Sequence, residues 1–252
     1  MMYHALNRVR ESEGHADMSK ITVIAEIGMN HNGNMDLAKC LIDEAKAIGA
    51  DVAKFQFFDI SEYMPTSFEW YDWAMNARLT YDDAAVLKDY CDRVGIEFLA
   101  SVFNLEGVEW AKRLGMQRYK IPSRAIRQQD LIDALVDTGK EIIASLGMWG
   151  EDEFPVIESP VPVKFLYCVS KYPTLPADLE FEKIDFGRYA GFSDHTIGID
   201  AAIVAISRGA KIIEKHFTLS KQMYGADHAG SAVPEELRQV VDFARRTEAI
   251  IS

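Results

Sequence analysis

The segment from Gly191 to Thr218 reads as a strand, a helix and a second strand, and it constrains the fold more than any other part of the chain. Apolar residues between the two strands recur at the spacing of an amphipathic helix. Each strand ends in a histidine, His195 after the first and His216 after the second. A β-α-β unit places its strands parallel and adjacent, so both histidines are expected at the carboxyl end of one sheet. Folds of the α/β class carry their active sites at that end.

The same alternation of strand and helix runs through most of the chain. Eight strand candidates span residues 21–27, 51–57, 96–100, 117–121, 141–144, 163–168, 189–192 and 211–214. Most of them are followed by a helical pattern, which predicts an α/β fold, a single (β/α)8 TIM barrel over residues 21–252. Residues 1–20 are polar and charged, without the apolar core of a signal peptide, and are expected to form a loose N-terminal extension.

Local patterns refine this prediction. The acidic, proline-containing stretch 146–162 indicates that the fifth helix is shortened or missing. Residues 178–186 predict a weak helix, and residues 234–251 predict a final helix with a proline near its start. Thr80 and Asp83 have the spacing of a capping box. The aromatic run 68–73 is expected to form a packed lid or an interface.

Composition narrows the classes of partner and compartment. The formal net charge of −12 disfavours nucleic acid and anionic membrane surfaces as partners. No apolar run approaches the roughly 18 residues of a membrane span. Cys40, Cys91 and Cys168 lie far apart without a CxxC pair, which indicates a reducing compartment, expected to be the cytoplasm, and no structural zinc site.

Polar side chains at the ends of the predicted strands are the candidates for chemistry. Lys54 and Lys120 come from different strands and are expected to face one barrel mouth. Two ammonium groups with nearby serine hydroxyls suit a small anion that carries a phosphate and a carboxylate. The paired histidines indicate a metal site. The full set is Glu26, Lys54, Gln56, Ser101, Lys120, Ser123, Ser145, Ser170, Tyr172, Ser193, His195, His216, Asp227 and His228.

Structural roles are the alternatives at each of these positions. A lone histidine at a strand end is more often a hydrogen-bonded structural group than a ligand. Lys54 paired with Glu26 would be a buried structural ion pair. Each serine taken alone is a cap or turn residue, and Cys168 is expected to be a core residue.

Several motifs in order along residues 21–252 resemble the sialic acid synthase family. They are AEIGMNHNG, ADVAKFQFFD, YKIPS, ASLGM, CVSKYPT, GFSDHTIGIDAA, IEKHFT and GADHAGS. The resemblance implies a transferase barrel that condenses phosphoenolpyruvate (PEP) with an aldose or an N-acylated amino sugar. The product would be a nonulosonic acid or a related 2-keto-3-deoxy sugar acid, and phosphate would be released.

The resemblance also assigns roles to residues. His195 and His216 would hold a divalent metal, for which Mn²⁺ is expected and Mg²⁺, Co²⁺, Fe²⁺ or Zn²⁺ are alternatives. Glu26 would be the acidic residue beside the reacting carbonyl, and we take it as the candidate acid or base. The predicted catalytic residues are Glu26, Lys54, Lys120 and His195. The residues implied around PEP are Lys54, Lys120, Ser123, Ser145, Ser170 and Ser193, and those facing the sugar are Gln56, Tyr172 and Asp227. Ser170 stands where many members of the family have Asn.

Departures from the family pattern bear on the acceptor sugar. Val102 replaces a hydroxyl residue, and Arg124 with Ala125 replaces a small residue followed by an acidic one. The chain ends at Ser252, before the C-terminal antifreeze-like domain that in the family caps the partner's site. We therefore expect an acceptor other than N-acetylmannosamine, or weaker binding of it. A homo-oligomer and a separate capping chain are the partners to be considered.

Two other functions stay open on the sequence. The first is a lyase that cleaves a 2-keto sugar acid through a Schiff base on Lys120 or Lys54. The second is a sugar-binding or regulatory subunit without catalysis. The retention of lysines, histidines and Glu26 together argues against the second.

Overall fold

The structure, a computed structural model, describes residues 20–252. Eight parallel strands close into a barrel in which each strand pairs with the next and the eighth pairs with the first. The strands are β1 (Thr22–Gly28), β2 (Val52–Phe57), β3 (Glu97–Val102), β4 (Arg118–Ile121), β5 (Glu141–Ser145), β6 (Val163–Cys168), β7 (Gly191–Asp194) and β8 (Ile212–His216). The prediction of a (β/α)8 barrel is confirmed. The expected N-terminal extension, apart from Lys20, lies outside the described residues.

Helices surround the barrel and fill most of the connections between strands. They are α1 (Met35–Ala47), α2 (Ile60–Tyr63), α3 (Tyr71–Ala77), α4 (Tyr81–Val94), α5 (Leu105–Arg113), α6 (Gln129–Val136), α7 (Asp200–Ser207) and α8 (Pro234–Ile251). Within the part of the chain that is described, none of these helices is both long and apolar enough to cross a membrane.

The connection from β5 to β6 has no helix among the described residues, as the sequence predicts. Phe154 of this segment packs its ring 5.2 Å from Phe165 and 4.5 Å from Tyr189, measured between ring centroids. Aromatic side chains thus cover the outside of the barrel where a helix would otherwise lie.

The predicted weak helix over residues 178–186 is wrong. Two 3-10 turns, Pro176–Asp178 and Phe181–Lys183, stand there instead. Glu180 lies between them with φ of 43°, in the left-handed region. That conformation is incompatible with a continuous right-handed helix, so the segment breaks into two turns.

Strand register brings the candidate site residues to one level of the barrel. Glu26 pairs with Lys54 on one side and with His216 on the other, and Ser193 pairs with Glu214. Since side chains alternate along a strand, these residues share the inward face. The outward faces carry the main apolar core, packed against the helices.

Two helices show how the sequence pattern sets this packing. Buried side chains of α8 recur every three to four residues, and they are Leu237, Val240, Val241 and Ala244. In α4, Thr80 and Asp83 form the predicted capping box, and Gly95 ends the helix with φ of 76°. Both ends of α4 are therefore set by local interactions, the capping box at its start and the glycine conformation at its end.

The aromatic segment between β2 and α4 folds as α2 and α3 and builds a second, smaller core. Phe58, Ile60, Trp73 and Phe103 are buried in it. The Trp73 indole donates a hydrogen bond of 2.8 Å to Asn32, in the turn after β1. The segment is thus packed against the loops at the carboxyl end of the barrel.

Candidate active site

Seven polar side chains from seven different strands form one buried layer inside the barrel. They are Glu26, Lys54, Ser101, Lys120, Ser145, Ser193 and Glu214. Burying two ammonium groups and two carboxylates is costly unless the charges are paired and hydrogen-bonded. The contacts within the layer therefore decide what it can bind.

Lys54 lies between two carboxylates. Its Nζ is 2.8 Å from Glu26 Oε2 and 3.5 Å from Glu214 Oε2, and it donates a 2.8 Å hydrogen bond to Ser101. The ion pair between Lys54 and Glu26, an alternative raised by the sequence, is present. Lys54 is thus held in one position by three neighbours.

Lys120 joins the same network from the other side. Its Nζ donates to Ser145 Oγ at 2.7 Å and lies 3.7 Å from Glu214 Oε1. Glu214 Oε1 also accepts a 2.7 Å hydrogen bond from Ser193. Glu214 therefore links both lysines. Sequence reasoning missed it, although its position two residues before His216 puts it on the same strand face.

The two carboxylates of the layer have very different proton affinities. Burial raises the pKa of Glu26 to about 7 and outweighs the opposing effect of Lys54. Burial also acts to raise the pKa of Glu214, but Lys120 and Lys54 together outweigh it and lower that pKa to about 2. At neutral pH Glu214 is ionised and Glu26 is able to take up or release a proton, which is typical of acid-base sites.

The two lysines also differ. Burial acts to lower the pKa of both, but Glu214 and Glu26 outweigh it at Lys54, whose pKa is raised. At Lys120 burial prevails and the pKa is lowered. With both lysines protonated, two positive charges face one full and one partial negative charge. The layer therefore carries a net positive charge that would attract an anion.

His195 and His216 lie side by side above this layer, with their ring centroids 5.6 Å apart. His195 Nδ1 lies 2.9 Å from the Val169 carbonyl oxygen. Because a carbonyl only accepts, Nδ1 carries a proton, and Nε2 is the nitrogen that a metal could bind after it loses its own proton. His216 Nδ1 is buried without a hydrogen-bond partner in the described residues. Burial lowers the pKa of His216 to about 4, so this ring is neutral at pH 7.

This pair fits a divalent metal as two nitrogen ligands. The unpartnered, buried nitrogen of His216 is the observation that supports the fit, since such a group is costly without a ligand. Across residues 20–252, no cluster of three or more His, Cys, Asp or Glu side chains is arranged around one metal position. The remaining ligands would be oxygens of water or substrate.

The predicted hydroxyls Ser123 and Ser170 form a separate cradle with Gly147. The Gly147 N–H donates to Ser123 Oγ at 3.1 Å, and Ser170 Oγ is buried without a partner among the described residues. A Cβ at Gly147 would lie 2.5 Å from Ser170 Oγ, so only glycine fits there. Ser123 and Ser170 are thus brought together at the carboxyl ends of β4 and β6.

The residues expected to face the sugar lie around the histidines and Glu26. Gln56 donates a 2.7 Å hydrogen bond to Glu26 Oε1. Tyr172, largely exposed, has its ring centroid 4.2 Å from that of His195. Asp227 Oδ2 lies 3.9 Å from His216 Nδ1. The structure therefore places all three side chains around the same mouth of the barrel.

Cys168 is buried, as expected for a core residue, yet its Sγ lies 3.7 Å from His195 Nδ1 and 3.5 Å from Ser123 Oγ. Burial acts to raise the pKa of Cys168, and His195 outweighs it, so that pKa is lowered. Burial acts to lower the pKa of His195, but Cys168 and the Val169 carbonyl raise it to about 9. At pH 7 the ring without a metal is therefore protonated on both nitrogens, and a metal bound at Nε2 would displace one proton. A lone cysteine in an apolar strand gives no signal for this contact in the sequence.

The positions that depart from the family pattern differ in exposure. Val102 and Ala125 are fully buried. Arg124 is exposed, in a 3-10 turn directly after Ser123, and its Nη1 donates to the Tyr63 carbonyl at 3.3 Å. Arg124 forms no ion pair with any of the described residues. A cation without a carboxylate partner thus stands beside the serine cradle.

Comparison with known proteins finds relatives of this chain in sequence and in fold. The sequence model described as the NeuB family matches residues 41–252. An uncharacterized protein of Methanocaldococcus jannaschii is 36% identical over 240 residues, which cover 91% of this chain and 71% of that protein.

Two further comparisons involve proteins with a stated activity. The N,N'-diacetyllegionaminic acid synthase of Legionella pneumophila is 33% identical over 258 residues, covering 91% of this chain and 72% of the synthase. The crystal structure of an N-acetylneuraminic acid synthetase from Leptospira borgpetersenii, in complex with citrate, superposes with a TM-score of 0.82 at 29% identity. That match covers 92% of this chain and 85% of the synthetase chain.

Proposed function

Because the chain belongs to the NeuB family, we propose that it is a synthase that condenses PEP with an aldose or acylated amino sugar to give a 2-keto-3-deoxy sugar acid. The observation that supports this most is the convergence of two groups of residues on one barrel mouth. One is the buried pair Lys54 and Lys120 with its hydroxyls, and the other is the histidine pair. The first suits a small anion and the second suits a metal.

In this proposal PEP binds as an anion at Lys54 and Lys120, with hydroxyl contacts from the serines around them. Ser145 and Ser193 belong to the buried layer, and Ser123 and Ser170 form the cradle beside it. Several fixed donors around one anion leave PEP little freedom, which lowers the entropic part of the barrier. Lys120, with its lowered pKa, would be stabilised as an ammonium by the bound anion.

Chemistry at the acceptor takes place beside the histidines. A divalent metal held by His195 and His216, with Mn²⁺ as the first expectation, would supply Lewis-acid activation of the acceptor's aldehyde. C3 of PEP forms the new bond to the aldehyde carbon, and the aldehyde oxygen takes up a proton. Water then adds at C2, and the C2–O bond to phosphate breaks, which releases inorganic phosphate and leaves the 2-keto group.

Glu26 is our candidate for the proton transfers in this sequence. Its pKa of about 7 allows it to hold a proton at one stage and release it at another. Its Oε1 accepts from Gln56, a residue proposed to face the sugar, so Glu26 borders both substrates. Gln56, Tyr172 and Asp227 would orient the acceptor.

A lyase that forms a Schiff base is the second candidate, and one observation favours it. The lowered pKa of Lys120 is a property that imine-forming lysines also have. Borohydride trapping with a 2-keto acid separates the two functions. A synthase yields no adduct, and a lyase gains the mass of the reduced keto acid on Lys120.

The direct test of the reaction is the mass of the product. A PEP synthase yields the sum of PEP, acceptor and water less phosphate for at least one acceptor from a panel of aldoses and 2-acetamido sugars. A non-catalytic binding subunit yields no product with any of them. We also propose that the protein works in the cytoplasm, since all three cysteines are free and PEP chemistry needs no oxidising environment.

A further inference from the structure

Asp194 and Lys215 form a buried ion pair directly behind the candidate metal site. Asp194 Oδ2 lies 3.0 Å from Lys215 Nζ, and both residues are about 1% exposed. They are register partners on β7 and β8. Because their neighbours Ser193 and Glu214 face into the barrel, Asp194 and Lys215 face outward. The pair is therefore outside the layer that would hold PEP.

Both members of this pair are hydrogen-bonded to Thr196, the residue that follows His195. Asp194 precedes His195, and its Oδ1 accepts from the N–H and the hydroxyl of Thr196, both at 2.8 Å. Lys215 precedes His216, and its Nζ donates to the Thr196 carbonyl at 2.6 Å. The two chain segments that carry the histidines are thus tied to each other by one side-chain network.

The pair lies where the direct pairing of β7 with β8 ends. Asp194 and Lys215 are the last register partners of β7 and β8, so His195 lies one residue beyond the end of β7. Past this point the hydrogen-bond ladder between the two strands no longer fixes the separation of their backbones. A metal site tolerates only small errors in ligand position.

We infer that the Asp194–Lys215 pair positions His195 and His216 relative to each other for metal binding, an inference that rests on the metal site of the proposed function. Asp194 and Lys215 are positioning residues, since they touch neither metal nor substrate. A purely stabilising role is the alternative, and buried ion pairs are weak evidence for stability because uncharged replacements of the whole pair are often tolerated.

The experiment uses the full chain and Mn²⁺ alone, with binding measured from the electron paramagnetic resonance signal of free Mn²⁺. The double variant Asp194→Asn/Lys215→Met removes both charges together and avoids leaving one buried and unpaired. An asparagine side chain still accepts from Thr196, so mainly the tie between strands is lost. We expect Mn²⁺ binding about 10-fold weaker, the lower end of the effect of removing groups that orient metal ligands.

Arg245→Met is the matched control. Arg245 forms an ion pair of 2.7 Å with Asp51, at the opposite end of the barrel, where β2 begins. Its loss changes stability without changing the separation of the histidines, so Mn²⁺ binding should equal that of the unmodified chain. Thermal unfolding of both variants reports their stability separately from their metal affinity.

Unchanged Mn²⁺ affinity in a folded double variant would overturn the positioning role. His216→Ala distinguishes this from failure of the metal site itself: if it binds Mn²⁺ as the unmodified chain does, the proposed metal site is wrong and the inference is lost with it. Should the double variant not fold, Thr196→Val removes one hydrogen bond of the network, and binding about fivefold weaker is expected. Unchanged binding in that variant also contradicts the inference.

Discussion

His216 is the residue at which the proposed metal can be tested with least ambiguity, because its Nδ1 has no hydrogen-bond partner in the described residues. Replacing His216 with Ala removes one of two protein ligands, so we expect Mn²⁺-dependent turnover to fall by about 100-fold or more. His31→Gln is the control, since His31 is also buried but its ring lies against Phe55, on the outward face of β2. Full activity of His216→Ala after exhaustive chelation would contradict the metal role.

Lys120 is expected to act through its charge. Lys120→Met should raise the apparent KM for PEP by about 10-fold or more, since a hydrogen bond to a charged group contributes roughly 1.5–3 kcal/mol. Steady-state kinetics with varied PEP measures this. Lys164→Met is the matched control, because Lys164 pairs with Glu141 on the strand ends away from the site. An unchanged apparent KM for PEP in Lys120→Met would show that this lysine does not bind PEP.

Arg124 bears on the acceptor. Ala125 supplies no carboxylate for sugar hydroxyls, and the exposed Arg124 guanidinium stands beside Ser123 without an acidic partner in the described residues. We expect Arg124→Gly to reduce the preference for anionic over neutral aldoses by about 10-fold, the range for one charged hydrogen bond. Arg127→Gly, a nearby exposed arginine paired with Glu151, should leave that ratio unchanged. N-acetylmannosamine as the best acceptor at ordinary efficiency would contradict this prediction.

At the scale of elements, the turn between β1 and α1 makes the fold sensitive to acid. His31 in this turn is 1% exposed, and burial lowers its pKa from 6.5 to about 4. The unfolded chain therefore binds this proton more readily. The contribution of neutral His31 to the free energy of unfolding is fully present above pH 6.5, the pKa in the unfolded chain. It is lost as the pH falls towards 4, and the free energy of unfolding decreases by up to about 3 kcal/mol.

His31→Gln removes this titration while keeping a polar side chain in the turn. We expect the free energy of unfolding of the variant, measured by urea titration at pH 7 and at pH 4.5, to fall less between these pH values than that of the unmodified chain. His228→Gln, at a histidine packed against Thr218, gives a comparison at a second buried position. Equal losses for His31→Gln and the unmodified chain would contradict the assignment.

Elements with strong local signals could be predicted from the sequence. The sequence predicts a final helix over the residues that α8 occupies, because its apolar period and its initial proline both act locally. The helix predicted over residues 178–186 failed because the backbone of Glu180 adopts a left-handed conformation. Nothing in that residue's type signals such a conformation.

The residues of the candidate site also divide into those that the sequence signals and those that it does not. Lys54, Lys120, His195 and His216 stood out because charged or metal-binding side chains at the ends of apolar strands are unusual. Glu214 was overlooked inside its strand, although it contacts both lysines. The Asp194–Lys215 pair depends on strand register, which a sequence does not specify without the closed barrel.

At the scale of the whole molecule, closure of the barrel is what makes the site. Residues from β1, β2, β4 and β8 are distant in sequence, yet the closed sheet brings their side chains to one buried layer. In solvent the ion pairs of this layer would be weak and mobile, whereas inside the barrel packing on every side holds the charged groups in place. In the proposed function, PEP, acceptor and metal therefore meet at a single mouth of one barrel.

Release of inorganic phosphate from PEP is the decisive measurement for the proposed synthase reaction. It is followed with and without Mn²⁺ across a panel of aldoses and 2-acetamido sugars, for the unmodified chain and for His195→Ala/His216→Ala. We expect phosphate release that requires both a sugar and the metal, and we expect the double variant to release none. Release without any sugar, equal release by the double variant, or no release with any acceptor would contradict the proposed reaction.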